Sequence, residues 1–204
     1  MQSWGTSSRF SDRDTGLEPS KSGVIGLLCA ALGRRRPEPV DDLAALRMGV
    51  RVDREGSLRL DFQTGRNVAR ASGSGHQSTV VSRKHYLADA CFLVGFEGDP
   101  VLLREVHSAL RNPVWPLSLG RKSYGPSRGV YLPSGLRDGP LEEVLGSYPP
   151  LTESAPDGYR FVLEAARGSL RQDQPLGPYA ERQFGARFVV SRVVAPGEVP
   201  HVSL

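Results

Sequence analysis

Apolar residues gather into a few short runs, and the spacing within each predicts its secondary structure. The densest is 24–32, where Val24, Ile25, Leu27, Leu28, Ala30, Ala31 and Leu32 leave no polar face. Ser20 and Ser22 are candidate N-caps ahead of it and Gly33 follows it, so the pattern predicts a helix over 23–32. A helix that is apolar all round belongs in the interior. Beyond Arg34-Arg35-Arg36 and the prolines at 37 and 39, Asp41 or Asp42 caps a short second helix that runs through Met48 and ends at Gly49.

Alternation then replaces helical spacing. Residues 50–53 and 58–62 alternate apolar with polar around Arg54-Glu55-Gly56, a hairpin pattern. From 63 to 82 the apolar content falls and Gly65, Gly73 and Gly75 accumulate, so this stretch reads as a protruding hairpin or flexible loop and not as core. Residues 86–96 have the β-branched and aromatic character of a buried strand. Asp99 and Pro100 open a helix whose Val101, Leu102, Val106, Ala109 and Leu110 share one face before Asn112-Pro113 stops it. A glycine-bounded basic loop at 117–125 and a short strand at 129–132 follow. Beyond Pro149-Pro150 come two further strands, at 159–165 and 187–194.

This order predicts an α+β chain of ferredoxin-like or RRM-like βαββαβ type that lacks its opening strand. The expected division is an RRM-like domain over 1–148, with a thumb at about 63–82, and a small C-terminal β subdomain over 149–204. A chain of 204 residues with 39% hydrophobic content can bury one sizeable core. Residues 1–21 are polar and read as an extended loop leading to the first helix.

Charge narrows the partners. The 26 basic against 22 acidic residues give a net charge of +4, which tilts the protein toward a polyanion. Only Lys21, Lys84 and Lys122 are lysines, so arginine, whose planar fork suits bidentate phosphate contacts, carries nearly all the positive charge. Cys29 and Cys91 sit in apolar or alternating stretches and read as small buried hydrophobes without a disulfide. His76, His85, His107 and His201 lack ligand spacing, and Gly23 and Gly26 fall within a helix and form no phosphate loop, so neither a metal nor a cofactor is expected. The longest apolar run is far too short to span a membrane and no leader precedes it, so a cytoplasmic protein is expected.

Several residues carry candidate chemistry. Single-stranded RNA is held by cations on phosphates, aromatic faces on bases and backbone N–H groups in glycine turns. The 117–125 loop offers Arg121 and Lys122 as cations, Ser123 as a hydroxyl, Tyr124 as a stacking face, and Gly120 with Gly125 for close backbone approach. An ordinary solvated turn would carry the same residues. Lys21, with the hydroxyls of Ser20 and Ser22, stands at a helix N-terminus where a phosphate can bind, and simple capping is the alternative. Trp4 is either a base-stacking face or a core plug. Arg66, Arg70 and His76 lie in the thumb, where they would touch RNA or a neighbouring subunit, or serve only to keep the loop solvated. Lys84, His85 and Tyr86 together contain the base, acid and cation that metal-independent RNA cleavage requires.

Three segments resemble the CasD family of type I-E CRISPR effector complexes, within the wider RAMP superfamily of RRM-like RNA-binding proteins. They are Met1-Gln2-Ser3-Trp4-Gly5 with its continuation Thr15-Gly16 and Pro19-Ser20-Lys21-Ser22-Gly23-Val24-Ile25-Gly26, then Tyr86-Leu87-Ala88-Asp89-Ala90-Cys91-Phe92, and Leu119-Gly120-Arg121-Lys122-Ser123. The resemblance implies a non-catalytic subunit that binds the 5′ handle of the crRNA. It also implies neighbours in the backbone subunit and large subunit of the complex, and target DNA reached through the assembly. Binding is then expected of Lys21, Ser22, Lys84, Gly120, Arg121, Lys122 and Ser123, and of Arg66, Arg70 and Trp4. A related type I-C branch cleaves precursor RNA, so Lys84, His85 and Tyr86 keep an endoribonuclease open as one alternative, and a protein-only scaffold is another. Family members begin with a strand ahead of the segment that Met1 opens here. That strand would lie at the centre of the sheet, and its absence would destabilise the fold.

Overall fold

A computed structural model describes residues 1–7, 11–153 and 157–200. The elements in chain order are β1 (Asp12–Arg13), α1 (Lys21–Leu32), α2 (Asp41–Ala45), β2 (Arg47–Arg54), β3 (Ser57–Ala69), β4 (His76–Ala88), β5 (Cys91–Glu97), α3 (Pro100–Arg111), α4 (Leu141–Ser147), β6 (Tyr159–Pro175) and β7 (Phe184–Val194).

Helix α1 forms where its caps and apolar content place it. Ser20 Oγ accepts a hydrogen bond from the Gly23 amide at 3.3 Å, and Gly33 takes the left-handed conformation, φ 75°, that closes the helix. Its Ile25, Leu28 and Cys29 pack with Leu43 of α2 and Leu102 and Val106 of α3. Replacing Ser20 by alanine is expected to cost about 1 kcal/mol, the usual value of a lost N-cap, read as a lower urea midpoint at unchanged slope.

The main sheet has the order β5-β2-β6-β7, antiparallel throughout. Alternation on β2 divides its side chains between two layers. Met48, Val50 and Val52 join Trp4, Val24, Val162 and Val189 on the α1 side. Gly49 and Gly95 are paired in register on the other side, beneath Leu141 and Leu145 of α4, where a side chain at either position would collide with those leucines. Beside them Arg51 is wholly buried. It pairs with Asp53 at 2.7 Å and donates to the carbonyls of Leu145, Tyr148 and Pro149, while Asp53 accepts from the Leu151 amide. This network fixes the end of α4 to the sheet. The two C-terminal strands, expected as a separate appendage, belong to this sheet because β6 pairs directly with β2 from Gly49↔Leu163 to Val52↔Arg160.

The second sheet, β1-β4-β3, projects from the first. Here several sequence expectations are corrected. Residues 58–62 do not form a hairpin with β2. The chain turns at Gly56, φ 75°, leaves the main sheet, and β3 pairs with β4 from Ser57↔Ala88 to Ala69↔His76. The stretch read as one strand over 86–96 is broken at Asp89, φ 57°, where the chain re-enters the main sheet as β5. The polar segment from 63 to 82 is thus mostly ladder, with its turn confined to 70–75. No strand forms at 129–132, α2 stops before Met48, and α4 was not foreseen.

Candidate nucleic-acid interface

The β3–β4 hairpin is exposed on both faces over most of its length, and its pairing sorts the side chains. Directly paired residues share a face of an antiparallel ladder. Leu58↔Leu87, Leu60↔His85 and Phe62↔Arg83 form one face, with Leu58, Leu60 and Phe62 each at least half exposed. Arg59↔Tyr86, Asp61↔Lys84 and Gln63↔Ser82 form the other. Strand β1 runs parallel to β4 and sets Arg13 beside Lys84 on that same face.

The 117–125 loop closes over this second face. Tyr124 is 5% exposed and its ring lies 5.8 Å from that of Tyr86. A turn brings the Tyr124 amide to the Arg121 carbonyl at 2.9 Å and the Leu119 amide to the Tyr124 carbonyl at 2.8 Å. The Arg121 guanidinium lies 5.7 Å from the Tyr124 ring centroid and donates to the tyrosine hydroxyl at 3.3 Å and to the Asp14 carbonyl at 3.4 Å. Lys122 and Ser123 are exposed beside it. Gly120 serves packing: at φ 86° its α-carbon lies against the Ser3 carbonyl, where a side chain would collide. Gly125 faces open space.

Two residues expected at the site are elsewhere. Lys21 is 1% exposed; its ammonium reaches Glu164 at 3.0 Å and its amide donates to Asp173 at 2.8 Å. Arg187 pairs with the same Asp173 at 2.7 Å. The carboxylate of Asp173 therefore occupies the position at the α1 N-terminus that a phosphate would take. Burial lowers the Lys21 pKa below the ordinary lysine range, with Glu164 opposing part of that shift. Trp4 is 4% exposed within the core and donates its indole N–H to Gln2 Oε1, so its ring presents no face to a base.

Ser22 is half-buried and its carbonyl accepts from the Tyr179 hydroxyl. Arg66 and Arg70 are exposed towards the tip of the hairpin, Arg66 on the face of Phe62 and Arg70 in the turn, and His76 begins β4. Among the described residues no cluster of histidine, cysteine or carboxylate is arranged to hold a metal. Cys29 and Cys91 are free thiols, and burial pushes Cys29 up to about 11. His201 lies outside the described residues.

The pleat also sorts the three residues named for cleavage. Lys84 and Tyr86 share one face of β4, and His85 points to the other, opposite Leu60. Sequence adjacency brought the three together and the pleat separates them. Arg59, Arg13 and the Tyr86–Tyr124 pair were missed. Arg59 lay in a stretch already read as a strand, but only its pairing with β4 in place of β2 sets it beside Tyr86 and Lys84, and the other contacts need the tertiary fold.

Fold and face together define an α+β protein that presents a projecting hairpin with one cationic, tyrosine-bearing side. The chain belongs to the Cas5 family: the sequence model of that family, described as CRISPR-associated protein (Cas_Cas5), matches residues 1–190. It is 28% identical over 209 residues to the CRISPR system Cascade subunit CasD of Escherichia coli (strain K12), covering 92% of this chain and 89% of that protein. Among solved structures, one described as "Crystal structure of Cas protein" superposes with a TM-score of 0.82 at 51% identity, over 98% of this chain and 92% of that one. A chain of a "CRISPR RNA-guided surveillance complex" superposes with a TM-score of 0.76 at 31% identity, over 95% and 87%. No helix among the described residues is long and apolar enough to cross a membrane.

Proposed function

We propose that this chain is a non-catalytic crRNA-binding subunit of a type I-E CRISPR interference complex, acting in the prokaryotic cytoplasm and capping the 5′ handle of the crRNA. The observation that carries this reading is the Tyr86–Tyr124 contact, which sets the loop bearing Arg121 and the exposed Lys122 against the hairpin face that carries Lys84. Similarity to a Cascade subunit and to a chain of an RNA-guided complex supports it. In that role the chain meets crRNA, the backbone subunit and the large subunit, and reaches target DNA through the assembly. Separation of His85 from Lys84 and Tyr86 favours binding over cleavage.

The test is anisotropy of a labelled crRNA handle titrated with the protein across a salt series. Each phosphate neutralised on a single strand adds about 0.7 to the slope of log K against log salt, so Arg121→Ala with Lys122→Ala is expected to lower that slope by about 1.4. The RNA should remain intact at excess protein in EDTA. An unchanged slope in the double variant would reject the loop as a phosphate contact, and cleavage abolished by His85→Ala would replace binding with an endoribonuclease.

A further inference from the structure

We propose that Arg59 of β3 is a phosphate-binding residue, and that the RNA path leaves the 117–125 loop and runs outward along the Arg59–Lys84 face of the hairpin. This inference rests on the RNA-binding reading above and assigns it a direction and a residue.

The argument begins with register. Arg59 is paired with Tyr86, and Lys84, two residues along β4, is paired with Asp61, so Arg59, Tyr86 and Lys84 are neighbours on one face. Tyr86 also touches Tyr124, and Arg121 lies on the Tyr124 ring. An unbroken sequence of contacts thus leads from the loop arginine to the hairpin arginine: Arg121, Tyr124, Tyr86, Arg59. Tyr124 is buried and holds the loop against Tyr86, so what this face offers a single strand is a row of cations for its phosphates.

Neutralisation on this face is limited. The one carboxylate among its paired residues from Ser57 to Gly65 and from Val80 to Ala88 is Asp61, which accepts a hydrogen bond from Gln63 Nε2 at 2.8 Å. Lys84 is held by the uncharged Gln63, and Arg59 is exposed. Asp61 stands directly across from Lys84 and offsets part of its charge, whereas Arg59 is paired with the uncharged Tyr86. The opposite face provides the contrast. It carries Arg83 too, but among exposed Leu60 and Phe62, where a phosphate chain would meet hydrocarbon in place of donors.

The face specificity makes the inference testable with exposed arginines that leave the core untouched. The protein is titrated with a labelled, unstructured oligouridine and, separately, with the crRNA handle, across a salt series. Arg59→Ala is expected to lower the slope of log K against log salt by about 0.7 on both RNAs and to weaken binding several-fold, while Arg59→Lys retains the slope. Arg83→Ala is expected to match wild type. Thermal melts of all three variants should overlay, which separates an RNA effect from a folding one.

The inference is overturned if Arg59→Ala keeps the wild-type slope, or if Arg83→Ala loses as much as Arg59→Ala. In either case, loss of slope on Arg121→Ala with Lys122→Ala would leave the handle-binding reading standing. A wild-type protein with no salt-dependent affinity for either RNA would overturn both.

Discussion

Arg51→Ala is expected to destabilise the protein by about 3–5 kcal/mol, the cost of removing one partner of a buried ion pair. Arg51 and Asp53 are both without solvent exposure at their side chains, and the guanidinium also satisfies three carbonyls around the end of α4. Alanine at 51 leaves Asp53 as an uncompensated buried carboxylate, and it strands those carbonyls. Replacing both partners by apolar residues of similar volume, R51M with D53L, should recover much of the loss because charge and partner leave together. Recovery stays incomplete, since the Leu151 amide loses its acceptor. Urea unfolding followed by fluorescence reads both effects. A cost below about 1 kcal/mol for Arg51→Ala would refute this account of the network.

Gly120→Ala is expected to have the second largest effect, about 2–4 kcal/mol, from a left-handed backbone and an overpacked contact acting together. At φ 86° a side chain is strained wherever it points, and here it would point into the Ser3 carbonyl. The loop must then lift, which breaks the bond from the Ser3 amide to the Leu119 carbonyl at 3.1 Å and displaces Arg121. Affinity for the crRNA handle should fall along with stability. Gly125→Ala is the internal control: its added methyl would have no atom within 4 Å, and both readouts should match wild type. Equal effects of the two substitutions would mean that the loop tolerates movement at Gly120.

The helices were legible where local signals are complete. Ser20 and Gly33 cap α1, Asp99 and Pro100 open α3, and each cap makes the hydrogen bond its residue type predicts. Helix α4 escaped notice because it is only seven residues long and Pro140 at its cap makes no side-chain bond. The hairpin was obscured for a different reason. Strand assignment from sequence relies on one buried face, and β3 buries neither, so 58–62 was given the wrong partner strand and the stretch beyond it could be read only as a protruding hairpin or a flexible loop. The Arg54-Glu55-Gly56 turn was correctly seen as a turn, but nothing local says that the chain leaves one sheet there for another.

The site divided in the same way. Arg121, Lys122 and Lys84 were found because charge is visible in sequence, whereas Arg59 needed a register. Lys21 looked available because its neutralising partners, Glu164 and Asp173, lie more than 140 residues away.

The fate of Lys21 has a consequence for chemical footprinting. The chain contains only two other lysines, Lys84 on the hairpin face and Lys122 in the loop above it. Lys21 is sealed in its ion cluster, so an amine-reactive reagent applied to the folded protein meets just these two side chains besides the terminal amine. Acetylation or crosslinking of native protein therefore reports directly on the surface assigned to RNA, without any engineered label, while modification at Lys21 reports loss of the fold.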